Sequence, residues 1–379
     1  MRFDLGEDQL MLRDLVRDFA QNIVAPRAAE IDRSGEYPSD LVAKAAELDL
    51  MGVVVPERYG GAGLDHVAFA VFVEEIAAVS GALAVILDVH SSVGSEPLLV
   101  YGSEEQKQRF LPRLASGELL GAFALSEPEY GSDASHLKTS AVRHGNEYVL
   151  NGTKTFITNL GVAGLYLVFA RTGPELGASG ISAFLIESEN SGLHYGTPME
   201  KMGLHGSPTG ELILQDVRVP TENLLGREGE GFRVAMSALD SGRIGISAQA
   251  VGLAQGALDL AVGYANQREQ FGKPIASFEG LQFMIADMAT AVDASRLLTW
   301  EAAAAHDRGE PYTRQASMAK LFATDTAMRV TTDAVQVFGG YGYITEFPIE
   351  RYMRDAKATQ IYEGTNEIQR LVIARDLLQ

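Results

Sequence analysis

Near the start of the chain Leu12, Leu15, Val16, Phe19, Ile23 and Val24 recur at helical spacing, and Glu7 and Asp8 suit the N-terminal end of that helix. A second helix is expected over residues 39–48, and a strongly apolar one over 64–80 follows the glycine-rich loop Pro56-Glu57-Arg58-Tyr59-Gly60-Gly61-Ala62-Gly63. Beyond Gly117 the pattern changes to short runs rich in β-branched and aromatic residues, at 121–125, 148–150, 166–170, 181–186 and 211–214, parted by Asn-Gly, Thr-Gly and Ser-Gly turns. From Gly231 helical periodicity returns over 232–267, 278–308, 311–338 and 363–378, which suggests a four-helix bundle. The reading is an α+β chain, mainly α, with an N-terminal helical domain (1–117), a central antiparallel β domain (118–225) and a C-terminal bundle (226–379).

Composition narrows the function. With 46% hydrophobic residues in 379 there is ample material for a core. A net charge of -19 opposes phosphate backbones and anionic lipid, so nucleic acid and stable membrane association are not expected, and an anionic ligand needs a local basic pocket. Cysteine is absent, which removes disulfides and thiolate chemistry and allows a reducing compartment. The acidic opening Met1-Arg2-Phe3-Asp4-Leu5-Gly6-Glu7-Asp8 is unlike a transit or secretory signal, so a cytoplasmic location is expected. The apolar stretch 68–87 is broken or bounded by Glu74, Glu75 and Asp88, which fits a buried helix better than a membrane span. The seven histidines show no paired metal-ligand spacing with an acidic partner, so no metal site is expected.

The segment Ile361-Tyr362-Glu363-Gly364-Thr365-Asn366-Glu367 sets a carboxylate in aromatic and apolar company. Burial would raise its pKa and make Glu363 a strong base, with Gly364 permitting the turn; a plain turn entering the last helix is the other reading. Ser126-Glu127-Pro128-Glu129-Tyr130-Gly131-Ser132 offers hydroxyls and backbone N–H groups, and Phe156 with Thr158 puts an aromatic beside a hydroxyl on one side of a strand. Arg268-Glu269-Gln270-Phe271-Gly272 supplies a guanidinium fit for a diphosphate, and Asp240 and Arg243 pair on one helix. Gln336-Val337-Phe338-Gly339-Gly340-Tyr341-Gly342 would let backbone approach a ligand. Each segment also has a purely structural reading, as a strand-ending loop, a half-buried strand, an exposed helix end or a helix stop.

Taken in order, with Met202-Gly203-Leu204-His205-Gly206, Asp216-Val217-Arg218-Val219-Pro220 and Arg351-Tyr352-Met353-Arg354-Asp355, these segments resemble the acyl-CoA dehydrogenase family over essentially the whole chain, most closely its short-chain or butyryl-CoA group. The resemblance implies FAD and α,β-dehydrogenation of an acyl-CoA. Glu363 takes the α-proton, the β-hydrogen leaves as hydride to the flavin, and an electron-transferring flavoprotein accepts the electrons. It assigns Phe123, Leu125, Ser126, Gly131, Ser132, Phe156 and Thr158 to FAD, with Ser132 also reaching CoA, and Asp240, Arg243 and Gly364 to the substrate. Thr365 and Glu367 are expected at the same flavin, while Arg268, Gln270, Phe271, Gln336, Gly339 and Gly340 reach the FAD of a neighbouring subunit, in a dimer at least and often a tetramer. Relatives that carry the base beside the bundle arginine have a carboxylate where this chain has Gly242. Glu279 departs from a more usual glutamine and puts one contact to the FAD diphosphate region in doubt. The competing readings are an acyl-CoA oxidase and a non-catalytic flavin or CoA-binding scaffold.

Overall fold

Helices fill the chain as far as Ala115: α1 (Glu7–Phe19), α2 (Ala25–Ser34), α3 (Ser39–Glu47), α4 (His66–Ala77), α5 (Gly81–Val89), α6 (Glu96–Tyr101) and α7 (Glu104–Ala115). The computed structural model describes residues 4–173 and 177–378; Met1, Arg2 and Phe3 of the acidic opening and Gln379 at the end of the bundle lie outside the described residues. Side-chain caps set several of these starts: Asp65 accepts from the Ala68 N–H, Ser80 from Leu83 and Ser103 from Gln106. The Ser80 cap divides the apolar stretch 68–87 between α4 and α5. A π-turn at His90–Ser95 then joins α5 to α6, and the resulting Gly81–Tyr101 helix is long and apolar enough to cross a membrane, yet 89% of its most apolar window is buried inside the protein.

Eight strands follow: β1 (Gly121–Ala124), β2 (Ser140–His144), β3 (Glu147–Thr158), β4 (Leu165–Arg171), β5 (Ile181–Glu187), β6 (Leu193–Tyr195), β7 (Thr209–Pro220) and β8 (Leu224–Leu225). They form one sheet of order β6-β7-β3-β2-β4-β5-β8, with β1 beside β4. The sheet is mixed rather than wholly antiparallel, because β1 runs parallel to β4. The β2–β3 hairpin lies between those two strands in sequence and supplies the crossover that parallel pairing needs. Alternation along β4 sends Leu165, Leu167 and Phe169 to a core shared with α7, and Tyr166, Val168 and Ala170 to a core shared with β3 and β7. Asn151-Gly152 is not a turn: it sits inside β3 at a shift of register with β7, where a side chain on Gly152 would collide with Thr139.

The bundle comprises α8 (Gly231–Gln267), α9 (Glu279–Asp307), α10 (Thr313–Phe338), α11 (Ile349–Thr359) and α12 (Asn366–Leu378). The sequence reading lacked α11, whose Ile349, Tyr352 and Ala356 join the bundle core at helical spacing. Two motifs far apart in sequence meet here, since Asp355 on α11 accepts the Leu204 N–H at 2.6 Å and anchors the strand domain to the bundle. Where the domains converge, Val85, Val89, Val93, Leu204 and Ala238 form a small apolar cluster against which Phe123 and Tyr362 pack.

Candidate active site

Glu363 lies in the link between α11 and α12, beside that apolar cluster, with left-handed backbone at φ 51°. Such a conformation is costly for a glutamate and persists only where surrounding contacts enforce it. The Tyr362 hydroxyl donates to Gln249 Oε1, and Gln249 in turn donates to the Gly81 carbonyl at 2.8 Å, which ties the link to α8 and α5. Lys320 on α10 donates from Nζ to the Gly364 carbonyl and to Asn366 Oδ1, both at 2.9 Å. Gln369 adds a 2.8 Å bond to the same Gly364 carbonyl. Gly364 has φ 88°, and a β-carbon there would stand 2.8 Å from Gln369 Nε2.

Glu363 Oε2 is buried with no hydrogen-bond partner among the described residues, and burial pushes its carboxyl up to about 8 while Arg243 and Lys320 pull it down. Gly242 does more than lack a carboxylate. A β-carbon at Gly242 would lie well inside contact distance of Glu363 Oε2 and 2.7 Å from Cδ. Arg243 is sunk in the core with Asp240, side-chain exposures of 5% and 14%, and their 2.5 Å ion pair is therefore not the exposed surface pair that spacing alone would allow. Thr313 holds the other Asp240 oxygen at 2.5 Å.

Residues that sequence reasoning missed complete this pocket. Asp88 on α5 is fully buried with both carboxylate oxygens unpartnered among the described residues, and burial followed by the charge of Glu363 raises its pKa well above the usual range. Gly245 makes room for it, since a side chain there would collide with Asp88 Oδ1. Burial lowers the Lys320 ammonium to about 7 against the raising effect of Glu363.

On the sheet side, Phe123 packs into the cluster beside Tyr362, and Leu125 is buried. The Ser126 to Ser132 loop is pinned by Glu127, which pairs with buried Lys154 at 2.8 Å and accepts from the Lys138 and Thr139 N–H groups. Gly131 and Ser132 stand exposed on that loop. Phe156 is 69% exposed and left-handed at φ 57°, at a bulge of β3, so the core-packing reading of this aromatic fails. Thr158 is partly buried on the same side of the strand. Thr365 Oγ1 accepts from the Ile368 N–H at the start of α12, and Glu367 is exposed.

The remaining expected residues gather at the far end of the bundle. Phe271, 92% exposed with φ 54°, tips a short hairpin that also carries Gln270, and the Arg268 guanidinium lies 5.4 Å from the centre of the Tyr341 ring, next to Gly339 and Gly340. Gln336 is exposed on the last turn of α10, and Glu279 is exposed at the start of α9. Among the described residues no hydrogen bond, ion pair or ring contact joins this end to Glu363 or to Phe156.

The families described as the N-terminal, middle and C-terminal domains of acyl-CoA dehydrogenase match residues 6–118, 122–217 and 229–378. An acyl-CoA dehydrogenase of Bacillus subtilis is 52% identical over 98% of this chain and 98% of its own length. The butyryl-CoA dehydrogenase of Megasphaera elsdenii superposes with TM-score 0.99 at 46% identity over 100% of both chains. A chain in the solved structure described as the electron transferring flavoprotein of Acidaminococcus fermentans does so with TM-score 0.99 at 50% identity, again over 100% of both. With all three domains matched in order and a relative more than half identical along nearly its full length, this chain belongs to the acyl-CoA dehydrogenase family of FAD-dependent oxidoreductases.

Proposed function

We propose that this chain oxidises a short-chain acyl-CoA at its α,β bond with Glu363 as the general base. The observation that carries the proposal is the sealed, unpartnered Oε2 of Glu363, facing a glycine whose missing side chain leaves that oxygen room. A carboxyl raised by burial is a stronger base than an exposed one, and its proton affinity approaches that of a working pH. Arg243 and Lys320 limit the cost of its ionised form. Among the described residues nothing accepts the Glu363 backbone N–H, which leaves that donor free for a thioester oxygen and for the negative charge that grows there as the α-proton leaves.

The residues on the sheet side fit a flavin. An exposed aromatic held in a strained backbone, beside a hydroxyl and next to a loop anchored by a buried ion pair, is a prepared face for a planar ring. Phe123, Leu125, Ser126, Gly131, Ser132, Phe156, Thr158, Thr365 and Glu367 would hold FAD, with Ser132, Asp240, Arg243 and Gly364 at the substrate. When bound, FAD supplies the acceptor for the β-hydride.

The exposed hairpin and glycine turn support assembly. Phe271 is 92% exposed and meets the Phe278 ring edge-on at 6.0 Å, and that exposure supports a reading in which Arg268, Gln270, Phe271, Gln336, Gly339 and Gly340 reach the FAD of a second copy, in a dimer or a tetramer of two dimers. The physiological acceptor in this reading is an electron-transferring flavoprotein, in keeping with the Acidaminococcus likeness. The domain division 1–117, 118–225 and 226–379 and a cytoplasmic setting complete the proposal, the latter supported by the absence of cysteine.

The test is anaerobic mixing with acyl-CoA thioesters of graded length, followed by admission of air. Fastest flavin bleaching by the short thioesters and slow reoxidation are expected. Rapid reoxidation with stoichiometric peroxide would make the protein an oxidase, and no bleaching by any thioester would make it a scaffold.

A further inference from the structure

A second cluster of chemistry-bearing side chains lies away from Glu363. His66 begins α4, Glu96 begins α6, and His306 and Asp307 end α9; the ligand atoms of His66, Glu96 and His306 all lie within 4.8 Å of one another. The two imidazoles overlap, with centroids 3.6 Å apart and planes tilted by 37°. His306 Nε2 is 2.9 Å from Glu96 Oε1, and His66 Nε2 is 3.4 Å from Glu96 Oε2.

Hydrogen bonds around the cluster fix His66 and Glu96, while His306 Nδ1 is buried without a partner among the described residues. Asp307 Oδ1 lies 2.7 Å from His66 Nδ1, while the same carboxylate accepts the His66 backbone N–H at 2.9 Å and 3.1 Å. With Nδ1 donating to Asp307, a neutral His66 presents its Nε2 lone pair to a carboxylate oxygen, and Nε2 is buried without a hydrogen-bond partner among the described residues. Two electron pairs face each other unless a proton on His66, which the carboxylates of Glu96 and Asp307 favour, or a metal cation lies between them. Glu96 is oriented from behind, since Ser241 Oγ donates to its Oε2. A histidine fixed by one carboxylate and a glutamate fixed by a hydroxyl are the outer contacts that ligands of zinc-type metals carry.

We propose that His66 Nε2, Glu96 and His306 form a site for a divalent transition metal of the zinc class. Two imidazoles and one carboxylate favour such an ion over calcium or magnesium, and they leave a fourth tetrahedral position to water. With both histidines neutral, Glu96 and Asp307 carry two negative charges between them, which the ion balances. The site clamps three helices, α4, α6 and α9, and through Ser241 it reaches the turn of α8 that carries Gly242 and Arg243.

The experiment is titration of chelator-treated, FAD-loaded protein with Zn2+ against a chromophoric chelator. One Zn2+ per chain is expected, with affinity falling at least about 100-fold in both His66→Gln and His306→Gln. Affinity should be unchanged in His136→Gln, which alters an exposed histidine elsewhere. X-ray absorption at the zinc edge of the loaded wild-type protein settles the matter even where a variant misfolds, and it should show two imidazole ligands with oxygen donors. No saturable uptake, uptake indifferent to both variants, or a shell lacking paired imidazoles would overturn the site and leave His66 in a proton-bridged ion pair.

Discussion

The pocket around Glu363 and the exposed end that carries Phe271 were both marked by unusual sequence, yet their own chain packs closely around only one of them. At the pocket the glycines meet a reason within the fold: Gly242 and Gly245 clear space for two carboxylates, and Gly364 avoids Gln369. At the exposed end a side chain added at Gly272, Gly339 or Gly340 would meet nothing within 4 Å among the described residues, the left-handed backbone of Gly272 and Gly339 being the local reason for glycine there, and Phe271 stands 92% exposed. Side chains so little packed by their own chain are open to contacts from outside it, so in the proposed reading the first region is the catalytic pocket and the second is half of a site shared with another copy.

The largest effect should come from Glu363→Gln, which keeps shape and removes the proposed base: steady-state turnover is expected to fall about 10²- to 10⁴-fold while FAD, measured by absorbance after gel filtration, stays bound. Gly242→Ala comes next, because its β-carbon displaces Glu363 Oε2. A base moved by about 1 Å costs on the order of 10²-fold in kcat, with a stability loss of about 1–3 kcal/mol by denaturant titration. Wild-type kcat in Gly242→Ala would break the claim that the pocket is closely fitted.

Asp88→Asn tests the pocket through pH. Burial and then Glu363 raise the folded-state pKa of Asp88, so the folded chain keeps a proton that the unfolded chain releases above the ordinary carboxylate range. Stability therefore falls as pH rises, by up to about 1.4 kcal/mol per pH unit, and the amide should flatten that slope in thermal melts. An unchanged slope would mean that Asp88 is ionised at neutral pH. The smallest effect belongs to the outward-facing residues. Phe156→Ala should weaken FAD about three- to tenfold, in line with the loss of one aromatic contact, and leave the apoprotein as stable as before. A large loss of apoprotein stability would return Phe156 to the core.

The difference between the regions also explains what could be read from sequence. Glu363, Arg243 and Phe156 stood out because each sits in a short distinctive segment whose local chemistry is unusual. Asp88 read as the polar boundary of an apolar run, and Lys320 carried no reading of its own, because burial of a charge is decided by elements far away in sequence. His66 and His306 are separated by the whole sheet domain, and only the docking of α9 on α4 brings them together. Strand β2 was missed since its Val142 is 54% exposed and the short hairpin arm carries little apolar alternation. The parallel β1–β4 pair was missed because pairing is a matter of topology, which periodicity does not encode.

The central claim is that Glu363 takes the proton. Its pocket is faced by Asp88 from α5, Arg243 from α8, Lys320 from α10 and Tyr362 from its own turn, and only the ionised carboxylate can act as base. The direct measurement is the second-order rate constant for anaerobic flavin bleaching by butyryl-CoA as a function of pH, in wild-type and Glu363→Gln protein. The account predicts a wild-type rate that rises with pH along a limb centred near 8, and a variant that bleaches at least about 10²-fold more slowly without that limb. A variant that bleaches at the wild-type rate, or that keeps the limb, would show that another group takes the proton.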